Sequence, residues 1–163
     1  MKVLTIGTWD VFHKGHVNLL KKCRELAGVD GEVIIGVNSD EFVKRYKGAL
    51  PLVPEESRME CVRAYGRPVL HINRMVPIPK QKDDALGRSM SQPWMPTEWD
   101  ETTPTFIHRI KPNLIVVGSD WAKKAYYKQL GITQKWLDER QIGLCYLTYT
   151  AGVSSTGIKA RRG

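Results

Sequence analysis

The chain opens with a strand, a helix and a second strand in immediate succession, and that order leaves few folds open. Lys2–Gly7 (KVLTIG) is a short, apolar, β-branched run closed by glycine, which reads as a strand. In Val17–Leu26 the apolar residues Val17, Leu19, Leu20, Cys23 and Leu26 recur at helical spacing, and Gly28 and Gly31 bracket the end. Glu32–Val37 (EVIIGV) is a second strand, apolar almost throughout. A strand without polar alternation is buried on both faces, so the pair belongs to a parallel sheet covered by helices.

The rest of the chain continues the alternation. Asn38–Asp40 begins a short polar helix, and Lys47–Pro54 is a loop carrying Gly48, Pro51 and Pro54. Glu55–Tyr65 reads as a helix whose acidic first turn suits the helix dipole. Pro68–Ile72, Asn113–Gly118 and Leu144–Leu147 read as strands three, four and five. Phe106–Ile110 closes a helix, Trp121–Leu130 and Gln134–Arg140 read as helices, and Ser154–Arg161 is a short last helix capped by Ser154 or Ser155. The rhythm fails in Asn73–Pro104, which holds five of the nine prolines with Trp94 and Trp99. The expectation is an α/β protein: one domain over residues 1–163, Rossmann-like, a central parallel sheet flanked by helices, with an irregular insertion at about 73–104.

Length and composition support a single buried core and exclude other classes. The 163 residues are 42% apolar and 26% charged, which is ordinary for a globular domain. No run approaches the ~18 apolar residues of a membrane helix. The apolar stretch Val3–Ile6 meets Asp10, His13 and Lys14 too soon to be a signal peptide. Cys23, Cys61 and Cys145 are odd in number and widely spaced, so neither a disulfide framework nor a zinc site is expected, and a reduced, cytoplasmic setting is. A net charge of +8 favours anionic partners without choosing among nucleic acid, acidic lipid and small phosphorylated molecules.

In a parallel sheet ligands bind where strands end, so the chemistry is sought there. After strand one come Gly7, Thr8, Trp9, Asp10, Val11, Phe12, His13, Lys14, Gly15 and His16, directly before a helix. A helix N-terminus offers free N–H groups to an anion, two imidazoles can donate to phosphate oxygens, and glycine allows close approach. After strand four comes Gly118-Ser119-Asp120-Trp121, where Asp120 is either a helix cap or an acceptor for a base or ribose. After strand five, Thr150 to Thr156 place three consecutive hydroxyls before a helix that carries Lys159, a cap or a second phosphate site. Lys47 and Arg58 follow the early strands and read singly as surface cations. Arg63 is spaced to share a helix face with Arg58.

Together these segments resemble the cytidylyltransferase family of the HxGH nucleotidyltransferases, most closely the glycerol-3-phosphate cytidylyltransferases. GTWDVFHKGHVNLL is similar to the family's GTFDxxHxGHxxLL. NSDEF, Lys47-Gly48 before EESR, GSDW and GVSSTGIK follow in the family's order. The resemblance implies transfer of CMP from CTP to a small phosphorylated alcohol, giving a CDP-alcohol and pyrophosphate, with Mg2+ on the nucleotide and a homodimer as the assembly. It implies His13, His16 and Lys47 as catalytic groups. It implies a nucleotide site drawn from Thr8, Trp9, Lys14, Gly15, Arg58, Arg63, Asp120, Thr150, Gly152, Val153, Ser154, Ser155 and Thr156. Asp10 and Lys47 fall on the substrate side, Asp10 as an orienting group. No residue is assigned to metal, and neither nucleic acid nor membrane is expected as a partner. The family's loop begins Arg-Thr where this chain has Tyr149-Thr150, so Arg161, Arg162 or the insertion would have to replace that charge. An acceptor lid from Lys80, Lys82, Arg88, Trp94 and Trp99 is a further expectation. The alternatives are an adenylyltransferase using ATP with a sugar phosphate or flavin mononucleotide, and a non-enzymatic nucleotide- or nucleic-acid-binding module.

Overall fold

The computed structural model describes residues 1–72, 102–119, 126–148 and 150–161. Lys80, Lys82, Arg88, Trp94 and Trp99 of the insertion, with Asp120, Trp121, Tyr149 and Arg162, lie outside these. The described residues form, in chain order, β1 (Lys2–Gly7), α1 (Lys14–Ala27), β2 (Glu32–Asn38), α2 (Asp40–Lys47), α3 (Glu55–Arg63) and β3 (Arg67–His71). They continue with α4 (Thr103–Ile110), β4 (Leu114–Gly118), α5 (Tyr126–Leu130), α6 (Gln134–Asp138), β5 (Gly143–Leu147) and α7 (Ser155–Ala160).

The strands make a five-stranded sheet in the order β3-β2-β1-β4-β5, every pair parallel. The chain winds outward one way from β1 and then the other way from β4, so the switch point lies between these two. Their ladder holds only Val3 against Leu114 and Leu4 against Ile115, whereas β1 meets β2 at six positions. Beyond those two pairs the carboxyl halves of β1 and β4 do not pair with each other, which leaves the opening in which such folds bind ligands.

Alternate residues of each strand feed opposite faces. Leu4, Ile34, Ile115 and Val117 pack against Phe106, Ile107 and Ile110 of α4 and against Tyr126, Leu130 and Leu137 beyond. Val3, Val33, Ile35, Val37 and Val116 pack against Leu20 and Cys23 of α1 and Val62 of α3. Both faces are apolar and covered, which is why β2 carries no polar alternation. The three cysteines are free thiols, and Cys23 is in the core.

Two expectations need correcting. The irregular insertion does not reach Pro104. Thr102 caps α4, its side chain accepting from the Thr105 amide, and Pro104 sits in the first turn, where a missing N–H costs nothing. Arg58 and Arg63 do not share a face. Five helical residues turn about 140° net of full rotations, so Arg58 is wholly buried while Arg63 is exposed and paired with Glu60.

Candidate active site

The opening between β1 and β4 is a cleft of ≈ 780 Å³. Its near wall is the connection from β1 to α1. That connection is tightly bent: Trp9 and Val11 have φ of 59° and 49° without being glycine. A β-branched residue there costs on the order of 1–3 kcal/mol, so neighbouring contacts must hold it. The Trp9 indole does part of this, donating from Nε1 to the Gly36 carbonyl at 2.9 Å.

His13 caps α1 and His16 lies in its first turn. The Gly15 amide donates to His13 Nδ1 at 3.0 Å, and the His13 amide donates to His16 Nδ1 at 3.3 Å. A nitrogen that accepts carries no proton, so each neutral ring presents Nε2–H as its donor. The rings stack with centroids 3.9 Å apart, and Trp9 meets His16 edge-on. Burial lowers the pKa of both. Burial and the adjacent His13 push His16 down to about 4, against a smaller upward pull from Asp10. Two stacked neutral imidazoles with fixed donors are suited to meeting phosphate oxygens without first losing a proton. Gly15 is required by space: a Cβ would lie 2.9 Å from His13 Cε1.

Asp10 is almost wholly buried and acts as a junction. Its two carboxylate oxygens accept from the Leu52 and Val53 amides at 3.1 and 3.0 Å, and Lys159 pairs with the same group. Its carbonyl accepts from Ser155 Oγ at 2.7 Å. Burial pushes this carboxyl up, but Lys159 and the two amides outweigh that and hold it below its ordinary value. One residue thus joins the histidine loop, the loop before α3, and α7, which itself contributes no buried residue.

Arg58 builds the second bracket. Its guanidinium donates to the Val53 carbonyl at 2.8 Å, to the Thr8 carbonyl, and to Asp40 at 2.6 Å. It holds the walls together and does not line the cleft. Lys47 does line it, with Nζ 3.5 Å from Thr8 Oγ1. Thr8, Trp9, Gly15, Thr150, Ser155, Thr156 and Lys159 also face the cleft. Lys14, Arg63, Gly152, Val153 and Ser154 are not among its lining residues. Ser154 instead caps α7, accepting from the Gly157 amide at 3.0 Å.

His71, at the end of β3, also faces the cleft, although no motif in the sequence points to it. It is buried, with Nδ1 2.9 Å from Asn38 Oδ1 and Nε2 3.2 Å from Thr103 Oγ1. With the Asn38 oxygen accepting, Nδ1 carries the proton and Nε2 accepts from the threonine. Burial, aided by the Arg109 charge, pushes its pKa down to about 4. Nothing local marks it; its partners lie 33 and 32 residues away.

No group of three or more His, Cys, Asp or Glu side chains among the described residues could hold a metal ion. Asp10, the carboxylate of the histidine loop, is already engaged. These residues suit a magnesium ion that arrives on phosphates and keeps most of its water shell. No helix among them is long and apolar enough to cross a membrane.

Comparison with known proteins agrees with this geometry. The FAD synthase of Methanopyrus kandleri is 33% identical over 134 residues, spanning 76% of this chain and 73% of that protein. The bifunctional protein HldE of Shewanella sediminis is 32% identical over 119 residues, 73% of this chain but only 20% of that protein. The crystal structure of the lipopolysaccharide core biosynthesis protein from Thermoplasma volcanium shares the fold, with TM-score 0.52 at 19% identity over 92% of this chain and 98% of that one. A profile described as cytidylyltransferase-like matches residues 4–161, nearly the whole described sheet and its cleft. With the parallel sheet opened at its switch point and the paired histidines at the start of α1, the chain is a member of the cytidylyltransferase-like family of nucleotidyltransferases.

Proposed function

We propose that the protein transfers AMP from ATP to flavin mononucleotide, forming FAD and pyrophosphate. The observation that carries the reaction type is the locked histidine pair. Two backbone amides fix both Nδ1 atoms, so two Nε2–H donors stand at a helix N-terminus inside a cleft large enough for two substrates. The choice of ATP and a flavin rests on the FAD synthases among the relatives. It replaces the CTP and glycerol phosphate expected from the motifs.

An oxygen of the acceptor phosphomonoester attacks the α-phosphorus of the nucleotide. A new O–P bond forms, and the bond from the α-phosphorus to the bridging oxygen breaks. Pyrophosphate leaves with that electron pair. The attacking phosphate is already ionised near neutral pH, so no base is required. The work is orientation and stabilisation of charge on the phosphoryl oxygens. His13 and His16 donate from Nε2, Lys47 supplies charge on the acceptor side, and Thr150, Ser155 and Thr156 offer hydroxyls to the phosphates. Lys159, held by Asp10, is the cation of this last arm and stands in for the arginine that Tyr149 replaces. Asp10 and Arg58 position these groups. Magnesium, when bound, screens the triphosphate charge.

The second reading is CTP with a small alcohol phosphate, favoured by the motif likeness and by the description of the matching profile. Pyrophosphate release, with ATP and CTP each crossed against FMN, glycerol 3-phosphate and a sugar phosphate, decides between them. Release that requires ATP and FMN together, with FAD as product, is the expected result. Release with CTP and glycerol phosphate alone restores the second reading. Light scattering of the purified chain tests the homodimer.

A further inference from the structure

The two arms of the cleft differ in chemistry. Toward β5 the cleft carries hydroxyls and Lys159 alongside Leu147 and the buried Tyr126; at the ends of β2 and β3 it carries the rings of Phe42, Tyr46 and His71 alongside Asn38 and Val43. Tyr46 follows Phe42 by four residues and Val43 by three, so it lies on the inward face of α2. Phe42 and Val43 are buried, yet Tyr46 is 43% exposed and lines the cleft. Tyr46, Phe42, His71 and Phe106 form a ladder. Tyr46 and Phe42 are nearly parallel, 11° apart with centroids 6.0 Å apart; the next two steps are 5.4 and 4.7 Å. Phe106 is in the core, so the ladder is anchored at its inner end and opens on the cleft at Tyr46. His71 is fixed by Asn38 and Thr103, and its hold on the Asn38 oxygen leaves Nδ2 as the donor that amide offers a ligand.

This arm carries no carboxylate among its described lining residues, whereas carboxylates are the groups that pair well with sugar hydroxyls. A wall of stacked rings favours a flat π-system. Lys47, next in the chain to Tyr46 and beside Thr8, sets this wall next to the phosphates.

We propose that Tyr46, on the acceptor side of the cleft, is a specificity-determining residue: in this ring-lined subsite the planar ring of a flavin-class phosphomonoester stacks on it. The proposal rests on the reading of the acceptor given above. Its test is titration of the full chain with FMN, read by quenching of flavin fluorescence, together with steady-state KM values. Tyr46→Ala is expected to raise the FMN Kd and KM at least tenfold, Tyr46→Phe to stay within threefold of wild type, and the ATP KM to stay within twofold in both. Tyr46 is an exposed helix residue, so the thermal midpoint is expected to hold. FAD formation by Tyr46→Ala at the wild-type FMN KM overturns the subsite alone. A wild-type chain that neither quenches nor adenylylates FMN, but turns over an aliphatic phosphate, overturns the subsite and the acceptor reading together.

Discussion

The cleft holds histidines of two kinds. His13 and His16 sit at its near wall, held by amides at most three residues away, with Nδ1 accepting and Nε2–H presented. His71 sits at the far wall, held by side chains brought from other elements, with Nδ1–H donating and Nε2 accepting. The first pair is ordered by its own loop and free to meet a ligand. The third is spent on tying β2, β3 and α4 together. Burial makes all three poor bases; in the proposed reaction that suppressed basicity suits the first pair to phosphate, while at His71 it accompanies cohesion.

The sharpest way to break this contrast is to delete one ring from each wall. His16→Ala removes a donor from the reacting phosphates, and kcat is expected to fall about 10²–10³-fold with the circular dichroism spectrum retained. His71→Ala removes the ring that Asn38 and Thr103 both bond and opens a void. Urea unfolding is expected to show a loss of about 2–4 kcal/mol, accompanied by a higher acceptor KM more than by a lower kcat. A His16→Ala protein with full turnover, or a His71→Ala protein of unchanged stability, ends the distinction.

Acid sharpens it further. The folded pKa of His16 and of His71 is about 4, below the ordinary value of 6.5. The unfolded chain therefore binds more protons between these limits, and stability rises with pH there. It is complete above the ordinary histidine value and drains as the pH falls toward 4. Each group accounts for at most ~3 kcal/mol. Unfolding midpoints from pH 7 to pH 4.5 are expected to decline, less steeply in His71→Ala.

The smallest expected effect concerns the near wall alone. In Gly15→Ala the new methyl displaces the His13 ring, which it would approach to 2.9 Å. A drop of about tenfold in kcat at nearly unchanged stability is expected from so small a misplacement.

The same contrast separates what is legible in the amino-acid sequence from what is not. All five strands and the histidine pair are legible, because apolar runs, a strand–turn–helix context and partners within three residues are local features. The buried role of Arg58 is not, since a lone cation after an acidic turn looks like surface until the Thr8 and Val53 carbonyls close on it. Nor is the junction at Asp10, whose carboxylate partners lie 42, 43 and 149 residues further along the chain. His71 ends a strand that reads as ordinary, and only the tertiary fold brings Asn38 and Thr103 to it. Thr102 with Pro104 is a local signal of a helix start, and it lies at the end of a stretch dominated by prolines.

The junction at Asp10 also has a consequence for truncation. The described residues of both core clusters all precede α7, so the sheet and its helices do not depend on that helix for their apolar contacts. Among the described residues, the groups that engage Asp10 from α7 are Ser155 and Lys159. A chain cut just short of α7 is therefore expected to keep its core while losing the hydroxyls and the lysine that close one side of the cleft.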